Sequence, residues 1–168
     1  YGLAKLMGGK KRFIDKLQMV FDEGLYDPAN EPDIAYPYLF SYFKGEEWRT
    51  QKETQRLLDK YFTTKPDGIP GNDDTGTMSS WAIFNMIGFY PDCPGLPEYT
   101  LTTPVFDKVT IRLDPKWYKE KELVIESNRA QPGTLYINKV LLNGKKFNKY
   151  RITHDELVHG QHIYFDLK

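Results

Sequence analysis

A change in hydrophobic periodicity near residue 91 is the feature that most constrains the fold of this 168-residue chain. Before that point apolar residues recur about every three or four positions, as on one face of a helix. After it, short runs of β-branched and aromatic residues alternate with polar ones, as in half-buried strands. Pro91, Pro94 and Pro97 separate the two patterns. The sequence therefore predicts an α+β chain, helical first and β-rich afterwards.

The first part of the chain predicts several amphipathic helices. The apolar positions at helical spacing are Phe13, Leu17, Val20 and Phe21 in one segment and Leu57, Leu58, Tyr61 and Phe62 in another. Thr50 and Glu53 have the spacing of a capping box at the start of the second segment. The aromatic run 36–43 contains Pro37 and predicts a helix start. The run 78–90 is apolar nearly all round, so we expect a helix that is buried on most sides.

The second part predicts an antiparallel, sandwich-like β segment. The expected strands cover residues 99–102, 108–113, 122–126, 134–142 and 162–167. Asn143-Gly144 is typical of a tight turn between two strands. We therefore divide the chain into a helical unit, residues 1–95, and a β-rich unit, residues 96–168.

Charge and composition exclude several classes of function. Lys and Arg together number 23 and so do Asp and Glu, giving a formal net charge of +0, which does not favour nucleic acid as a partner. Apolar stretches are interrupted well before the roughly 20 residues that a membrane span requires. The single cysteine, Cys93, excludes an internal disulfide framework. The chain opens at Tyr1 without a targeting signal, and we expect it to be a piece of a longer protein.

The loop of residues 66–78 is the strongest candidate for chemistry. It is rich in Gly and Pro, holds the adjacent carboxylates Asp73 and Asp74, and leads into the most apolar predicted helix. One interpretation is that one of the two caps that helix. The other is that a carboxylate fixed by such a loop serves as a general base or a metal ligand. The sequence alone favours neither.

A second loop carries Asn30, Glu31 and Asp33 just before the aromatic run. Hard cations such as Ca²⁺ prefer amide and carboxylate oxygens of this kind. Solvated loop acids are the simpler interpretation, and the spacing is not that of the twelve-residue calcium loop of helix–loop–helix proteins.

Aromatic residues are abundant: 12 Tyr, 10 Phe and 3 Trp. Most of them are expected in the core. Trp48, Tyr36 and Tyr38 are candidates for a sugar-binding surface, because aromatic faces pack against the apolar face of a pyranose ring.

A series of short motifs runs along the whole chain: Leu6-Met7-Gly8-Gly9, Asn30-Glu31-Pro32-Asp33-Ile34, Trp48-Arg49-Thr50-Gln51, Asp67-Gly68-Ile69-Pro70-Gly71-Asn72-Asp73-Asp74, Met78-Ser79-Ser80-Trp81, Gly88-Phe89-Tyr90-Pro91 and Pro104-Val105-Phe106-Asp107-Lys108. In this order they resemble the C-terminal portion of glycoside hydrolase family 92, the calcium-dependent exo-acting α-mannosidases. Each motif alone is weakly specific, but together they are highly specific.

The resemblance implies the final helices of an (α/α)6 barrel followed by a β-rich segment, and an inverting mechanism. In such a mechanism a carboxylic acid protonates the leaving oxygen while a carboxylate roughly 6.5–9.5 Å away activates water. The base maps to Asp74, with Asp73 next and Asn72 orienting the base or the water. The general acid would be a glutamate upstream of Tyr1. Asn30 and Glu31 map to ligands of Ca²⁺.

Two departures from the family pattern concern the site. Many members have an acidic residue where Asn72 stands, and many have a histidine near Ala35 and a cysteine at the position of Thr75. These differences bear on linkage preference.

The implied function is a C-terminal fragment of an exo-α-mannosidase acting on terminal α-linked mannose, expected to be α-1,2-linked, of N-glycans or mannans. The fragment alone is expected to be inactive, with the rest of its parent chain as partner and an exported, periplasmic or cell-surface location. One alternative is a noncatalytic carbohydrate-binding or structural module. Another is a family member acting on mannose-1-phosphate-capped glycans.

Overall fold

The computed structural model describes residues 1–131 and 133–168. The helices of this part are α1 Gly2–Leu6, α2 Lys10–Asp22, a 3-10 helix Glu31–Tyr42, α3 Glu47–Tyr61, α4 Thr77–Ile87 and α5 His154–Gly160. The strands are β1 Phe89–Tyr90, β2 Glu98–Leu101, β3 Lys108–Arg112, β4 Glu122–Arg129, β5 Ile137–Leu142, β6 Lys145–Phe147, β7 Arg151–Thr153 and β8 His162–Leu167. The chain is therefore α+β, as the periodicity predicted.

The helices and the strands build two adjacent hydrophobic cores. The helical core includes Phe21 of α2, Phe40 of the 3-10 helix and Leu57 of α3, each at most 1% exposed. The second core lies among the strands and α5 and includes Ile125 and Phe165. Burial of such apolar surface supplies most of the driving force for folding. Helix α4 contributes to both cores. The division into a helical unit, residues 1–95, and a β-rich unit, residues 96–168, stays a prediction.

Helix α4 faces both cores and has one exposed face. Trp81 and Ala82 lie in the helical core, whereas Phe84 packs against the β core. Ile83 is 54% exposed. The helix ends at Ile87, and the expected helical residue Tyr90 lies in strand β1 instead. The expectation of burial on most sides is therefore met, with one exposed face that carries Ile83.

Helix α3 begins earlier than the sequence suggested. Its first residue is Glu47, so Thr50 and Glu53 lie inside the helix and do not form the predicted capping box. Both side chains are buried. Glu53 accepts a hydrogen bond from Arg56 Nε at 2.6 Å. The pair of residues with capping-box spacing thus serves the packing of α3 against its neighbours.

The strands form a three-stranded sheet, β1-β2-β7, and a five-stranded sheet, β3-β4-β8-β5-β6. The three-stranded sheet is antiparallel. In the larger sheet β4 and β8 are parallel, with Val124 opposite His162 and Arg129 opposite Leu167. The prediction of an entirely antiparallel segment was wrong for this pair. Parallel neighbours need a long crossover, and the residues between β4 and β8, including α5, supply it.

Two local sequence signals specify this second part of the chain. Asn143 and Gly144 have φ values of 49° and 75° and join β5 to β6 in a two-residue turn, as predicted. Helix α5 was not predicted, although a capping box marks its start. The Thr153 hydroxyl accepts from the Glu156 amide, and the Glu156 carboxylate accepts from the Thr153 amide.

A buried ion pair ties the helical part to the strands. The Asp92 side chain is 2% exposed and lies 3.2 Å from Arg151 on β7. Asp92 also accepts hydrogen bonds from Thr100 on β2 and from the Tyr42 hydroxyl at the end of the 3-10 helix. Arg151 lies over the Tyr42 ring and pairs with Glu98. Burial and the bond to Asp92 raise the pKa of Tyr42 to about 12.

Replacement of Arg151 by Met is expected to lower the free energy of unfolding by about 3 kcal/mol, because Asp92 would stay buried without its charge partner. Urea unfolding followed by tryptophan fluorescence measures this change. Arg112→Met, on the exposed side of β3, is the matched control and should change the free energy by less than about 0.5 kcal/mol. Equal effects of the two replacements would contradict a special contribution of the buried pair.

Candidate active site

The loop between α3 and α4 is closed by its own backbone. Thr63 N–H donates to the Gly68 carbonyl, and Gly68 N–H donates to the Lys65 carbonyl, each at 2.9 Å. A β-carbon at Gly68 would overlap the Thr63 carbonyl oxygen and lie 2.7 Å from that of Lys65. Glycine at this position therefore permits the tight turn that leads the chain towards the two carboxylates.

Asp73 caps helix α4. Its carboxylate accepts hydrogen bonds from the Ser79 amide at 2.7 Å and the Ser79 hydroxyl at 2.8 Å. These bonds, that from the backbone amide first, hold the pKa of the Asp73 carboxyl below its ordinary value. One oxygen thus satisfies a free backbone amide in the first turn of the helix, and the other is engaged by the Ser79 side chain. This geometry matches the capping interpretation for Asp73.

Asp74 is held by its backbone rather than by its side chain. Its carbonyl oxygen accepts hydrogen bonds from the Thr77 amide and hydroxyl, and its side chain is exposed. Asp74, Thr75 and Gly76 are successive left-handed residues, with φ of 47°, 61° and 91°. This conformation is uncommon for an aspartate and rarer for a β-branched threonine, and such strain is concentrated at functional sites. The loop therefore presents the Asp74 carboxylate to solvent on a constrained backbone.

The Asn30–Glu31 segment is ordered by Asp33, which is buried. The Asp33 carboxylate accepts from the Asp27 amide at 3.2 Å and from the Asn30 side-chain amide at 3.3 Å. The bond to the Asn30 nitrogen leaves the Asn30 side-chain oxygen available as an acceptor. Asn30 and Glu31 are both exposed at the start of the 3-10 helix.

The two predicted functional loops meet at Gly71 and Ala29. A β-carbon added at Gly71, which has φ of 68°, would lie 2.6 Å from the β-carbon of Ala29. Ala29 directly precedes Asn30, and Gly71 directly precedes Asn72, which is exposed. The fold thus brings the oxygen-rich loop beside the acidic loop, although about 40 residues separate them in the chain.

The aromatic candidates lie in three different surroundings. Trp48 is 40% exposed, with the Arg49 guanidinium 4.5 Å from its ring centroid, and it packs edge-on against Tyr136 of the β-rich part. Together with residues of α3 and β5 it lines a groove of about 510 Å³. Tyr36 is half-buried in the 3-10 helix that begins at Glu31. These two rings remain candidates for contact with a sugar.

Tyr38 occupies a core position instead of the exposed one expected of a sugar-binding ring. It is fully buried, and its ring stacks on Tyr90 with centroids 4.6 Å apart. Its hydroxyl accepts from the Asn85 side chain at 2.7 Å. The 3-10 helix turns Tyr38 towards the core, and the sequence pattern did not distinguish it from its neighbour Tyr36.

The oxygen atoms of the Asn30–Glu31 segment suit a hard cation, but they are too few to complete its coordination. Carboxylate and amide oxygens are the ligands that Ca²⁺ prefers, and Ca²⁺ takes about six to eight of them. Within residues 1–131 and 133–168, no cluster of three or more His, Cys, Asp or Glu side chains is arranged to hold a metal. Asn30 and Glu31 alone are fewer than the oxygen ligands that Ca²⁺ takes.

Comparison with known proteins gives the family. The family model for the glycosyl hydrolase family 92 catalytic domain matches residues 1–168. The chain belongs to glycoside hydrolase family 92. A solved family 92 α-mannosidase from Bacteroides thetaiotaomicron is similar to this chain, with 32% identity and a TM-score of 0.83 over 95% of the chain. A second solved structure from that organism, an inverting mannosidase of family 92, gives 31% identity and a TM-score of 0.85 over 99% of the chain.

A curated relative from Arthroderma benhamiae, described as an uncharacterized secreted glycosidase, is 29% identical over 158 residues. The alignment covers 94% of this chain but 20% of that relative, and 21% and 25% of the two bacterial structures. The chain therefore spans about a fifth to a quarter of the length of these relatives. The described residues contain no helix of the length and apolarity that a bilayer crossing requires.

Two features of this candidate site were not predicted from the sequence. Asp33 was grouped with the candidate cation ligands, but it orders the loop by accepting two hydrogen bonds. The contact of Gly71 with Ala29 was not predicted, because no local pattern reveals a contact between distant loops. The Gly71 left-handed turn was the available signal, since Pro-Gly-Asn sequences favour such backbone.

The cap formed by Asp73 predicts a pH-dependent stability. A lowered pKa in the folded state means that the stabilisation is present above the unfolded value, about 3.9, and is lost as the pH falls through the folded value. Asp73→Ala is therefore expected to lower the melting temperature at pH 7, with the difference from wild type shrinking below about pH 4. Thermal melts across pH measure this. Asp67→Ala, in the same loop, is the control; a pH-independent difference for Asp73→Ala would contradict the cap.

Proposed function

We propose that the full-length protein is an inverting, calcium-dependent exo-α-mannosidase and that this chain supplies its general base and part of its calcium site. The observation that carries the proposal is the contact between the two loops at Ala29 and Gly71. The contact lies between the loop that carries Asn30 and Glu31 and the loop that carries Asp74. Family 92 membership and similarity to solved mannosidases support the same reaction class.

Asp74 is the proposed general base. Its neighbour Asp73 has both carboxylate oxygens engaged by Ser79, whereas the Asp74 carboxylate is exposed on a strained backbone. A general base needs an acceptor oxygen within hydrogen-bond reach of the water that it activates. Asp74 meets this requirement better than Asp73. Asn72, exposed two residues earlier, is proposed to orient the water or the base.

The general acid is proposed to be a glutamate in the rest of the protein. An inverting pair requires a carboxylic acid on the opposite face of the sugar, roughly 6.5–9.5 Å from the base. The fragment alone is then inactive, because it carries one member of the pair. The final helices of an (α/α)6 barrel, completed by the remainder of the chain, are the proposed frame that holds both members.

Asn30 and Glu31 are the proposed calcium ligands. The Asn30 side-chain nitrogen donates a hydrogen bond to Asp33, so the Asn30 side-chain oxygen can face a cation. Glu31 contributes a carboxylate. Bound Ca²⁺ would supply positive charge to sugar hydroxyls and so help to distort the mannose ring. Tyr36 and Trp48 are proposed to contact the substrate, terminal α-linked mannose of N-glycans or mannans.

Export to a periplasm or cell surface is the proposed location, in line with the secreted description of the curated relative. An α-1,2 linkage is the proposed preference. The experiment that tests the function is hydrolysis of α-1,2-, α-1,3- and α-1,4-mannobiose by the full-length protein, with and without chelator, followed by NMR of the released anomer. Release of β-mannose that stops with chelator is the expected result; no hydrolysis of any linkage would overturn the proposal.

Asp74→Asn in the full-length protein is expected to lower kcat by about 10²–10⁴-fold, the usual contribution of a general base. Stability should change by less than about 1 kcal/mol, since the side chain is exposed. Asp67→Asn, an exposed carboxylate of the same loop, is the matched control. Near-normal turnover of Asp74→Asn, together with loss of turnover in Asp73→Asn, would transfer the base assignment to Asp73.

Glu31→Gln is expected to raise the Ca²⁺ dissociation constant of the full-length protein by at least about tenfold, a change that even supporting residues of metal sites produce. The Michaelis constant should rise as well. Isothermal titration calorimetry with Ca²⁺ measures the affinity directly, and Glu122→Gln on strand β4 is the control. An unchanged calcium affinity would exclude Glu31 as a ligand.

A further inference from the structure

The contact of Gly71 with Ala29 has no tolerance for a larger residue. A β-carbon at Gly71 would lie 2.6 Å from the Ala29 β-carbon, closer than carbon atoms approach without displacement. The Ala29 β-carbon is attached directly to the backbone and cannot rotate away. Any side chain at position 71 must therefore push one loop away from the other.

Both loops are otherwise fixed close to this contact. Ala29 N–H donates to the Asp27 carboxylate at 3.0 Å, and Asp33 orders the residues that follow. In the other loop, Asp73 lies two residues after Gly71 and accepts a hydrogen bond from the Ser79 amide. A displacement at the contact is therefore transmitted to Asn30 and Asn72 instead of being absorbed by a mobile segment.

We infer that the Gly71–Ala29 contact is a spacer that sets the distance between the Asn30–Glu31 oxygens and the Asp74 carboxylate. The inference rests on the proposed function, in which these groups act on one sugar. Gly71 and Ala29 are positioning residues, since neither has a side chain able to bind a metal or move a proton. Because the loops approach closely, a single bound mannose can reach both the Asn30–Glu31 oxygens and the Asp74 carboxylate.

The test is a size exchange between the two positions in the full-length protein. Gly71→Ala introduces the clash, and the double variant Ala29→Gly/Gly71→Ala removes it, because the next-nearest atom, the Ala29 α-carbon, is 3.5 Å from the added carbon. Both variants carry alanine at the same left-handed residue. Their difference therefore reports the contact and not the backbone conformation. Gly95→Ala, with φ of 93° and nothing within 4 Å, controls for a left-handed alanine elsewhere.

The spacer predicts that Gly71→Ala lowers kcat/KM by about 100-fold, as expected for a misplacement on the order of 1 Å. Calcium affinity, measured by calorimetry without substrate, should fall in the same variant. The double variant should recover most of both losses, and Gly95→Ala should lose neither. If Gly71→Ala fails to fold, recovery of fold, calcium affinity and kcat/KM in the double variant still supports the spacer.

Two outcomes overturn the inference. One is a Gly71→Ala protein with unchanged calcium affinity and kcat/KM, and the other is a double variant as impaired as the single one. Failure of the proposed function gives a different result, since wild-type protein would then release no mannose. Calorimetry with Ca²⁺ alone would still decide whether the contact positions the cation ligands.

Discussion

Burial of the Asp92 carboxylate is the constraint on which the joining of the two halves depends. A carboxylate that is 2% exposed must be compensated, and Arg151, Thr100 and Tyr42 supply its partners from three separate elements. These partners come from both sides of the change in periodicity. The helical and the β-rich parts are therefore joined by a polar cluster with defined geometry as well as by apolar contact.

A second buried polar contact fixes the same junction. The Gln51 side-chain oxygen on α3 accepts from the Ile137 amide at the start of β5, at 3.0 Å. Gln51 is 2% exposed, so the bond forms where water does not compete for it. Because polar contacts are directional, they specify the orientation of the sheet on the helices more narrowly than apolar packing would. The 3-10 helix, which carries Glu31 at one end and Tyr42 at the other, lies between this junction and the candidate site.

Local patterns predicted the parts of the molecule that depend on local physics. The change from helical to strand periodicity and the Asn143-Gly144 turn both follow from short stretches of sequence. Capping of α4 by one of the two aspartates was one of two interpretations that the sequence left open. The start of α3 and the burial of Tyr38 could not be obtained in this way, because they depend on packing against distant elements. The parallel pairing of β4 with β8 likewise requires knowledge of which strands are neighbours in space.

The candidate site shows the same division. The residue types at Asn30, Glu31 and Asp74 were recognisable, since oxygen-rich loops suit cations and general bases. Which of two adjacent aspartates is committed to the helix was settled only by the bonds of Ser79. The approach of the two loops depends on the absence of a side chain at Gly71, which has meaning only when Ala29 is opposite it.

The position of β8 has a consequence for the order of assembly. It lies between β4 and β5, which have no pairing with each other. Until β8 has left the ribosome, the larger sheet can exist only as two separate antiparallel pairs, β3 with β4 and β5 with β6, each with an unpaired edge. Such edges are sites of intermolecular pairing, and long-range strand insertion is slow. During synthesis the strands β3 to β6 therefore depend on the later strand β8 for protection from aggregation.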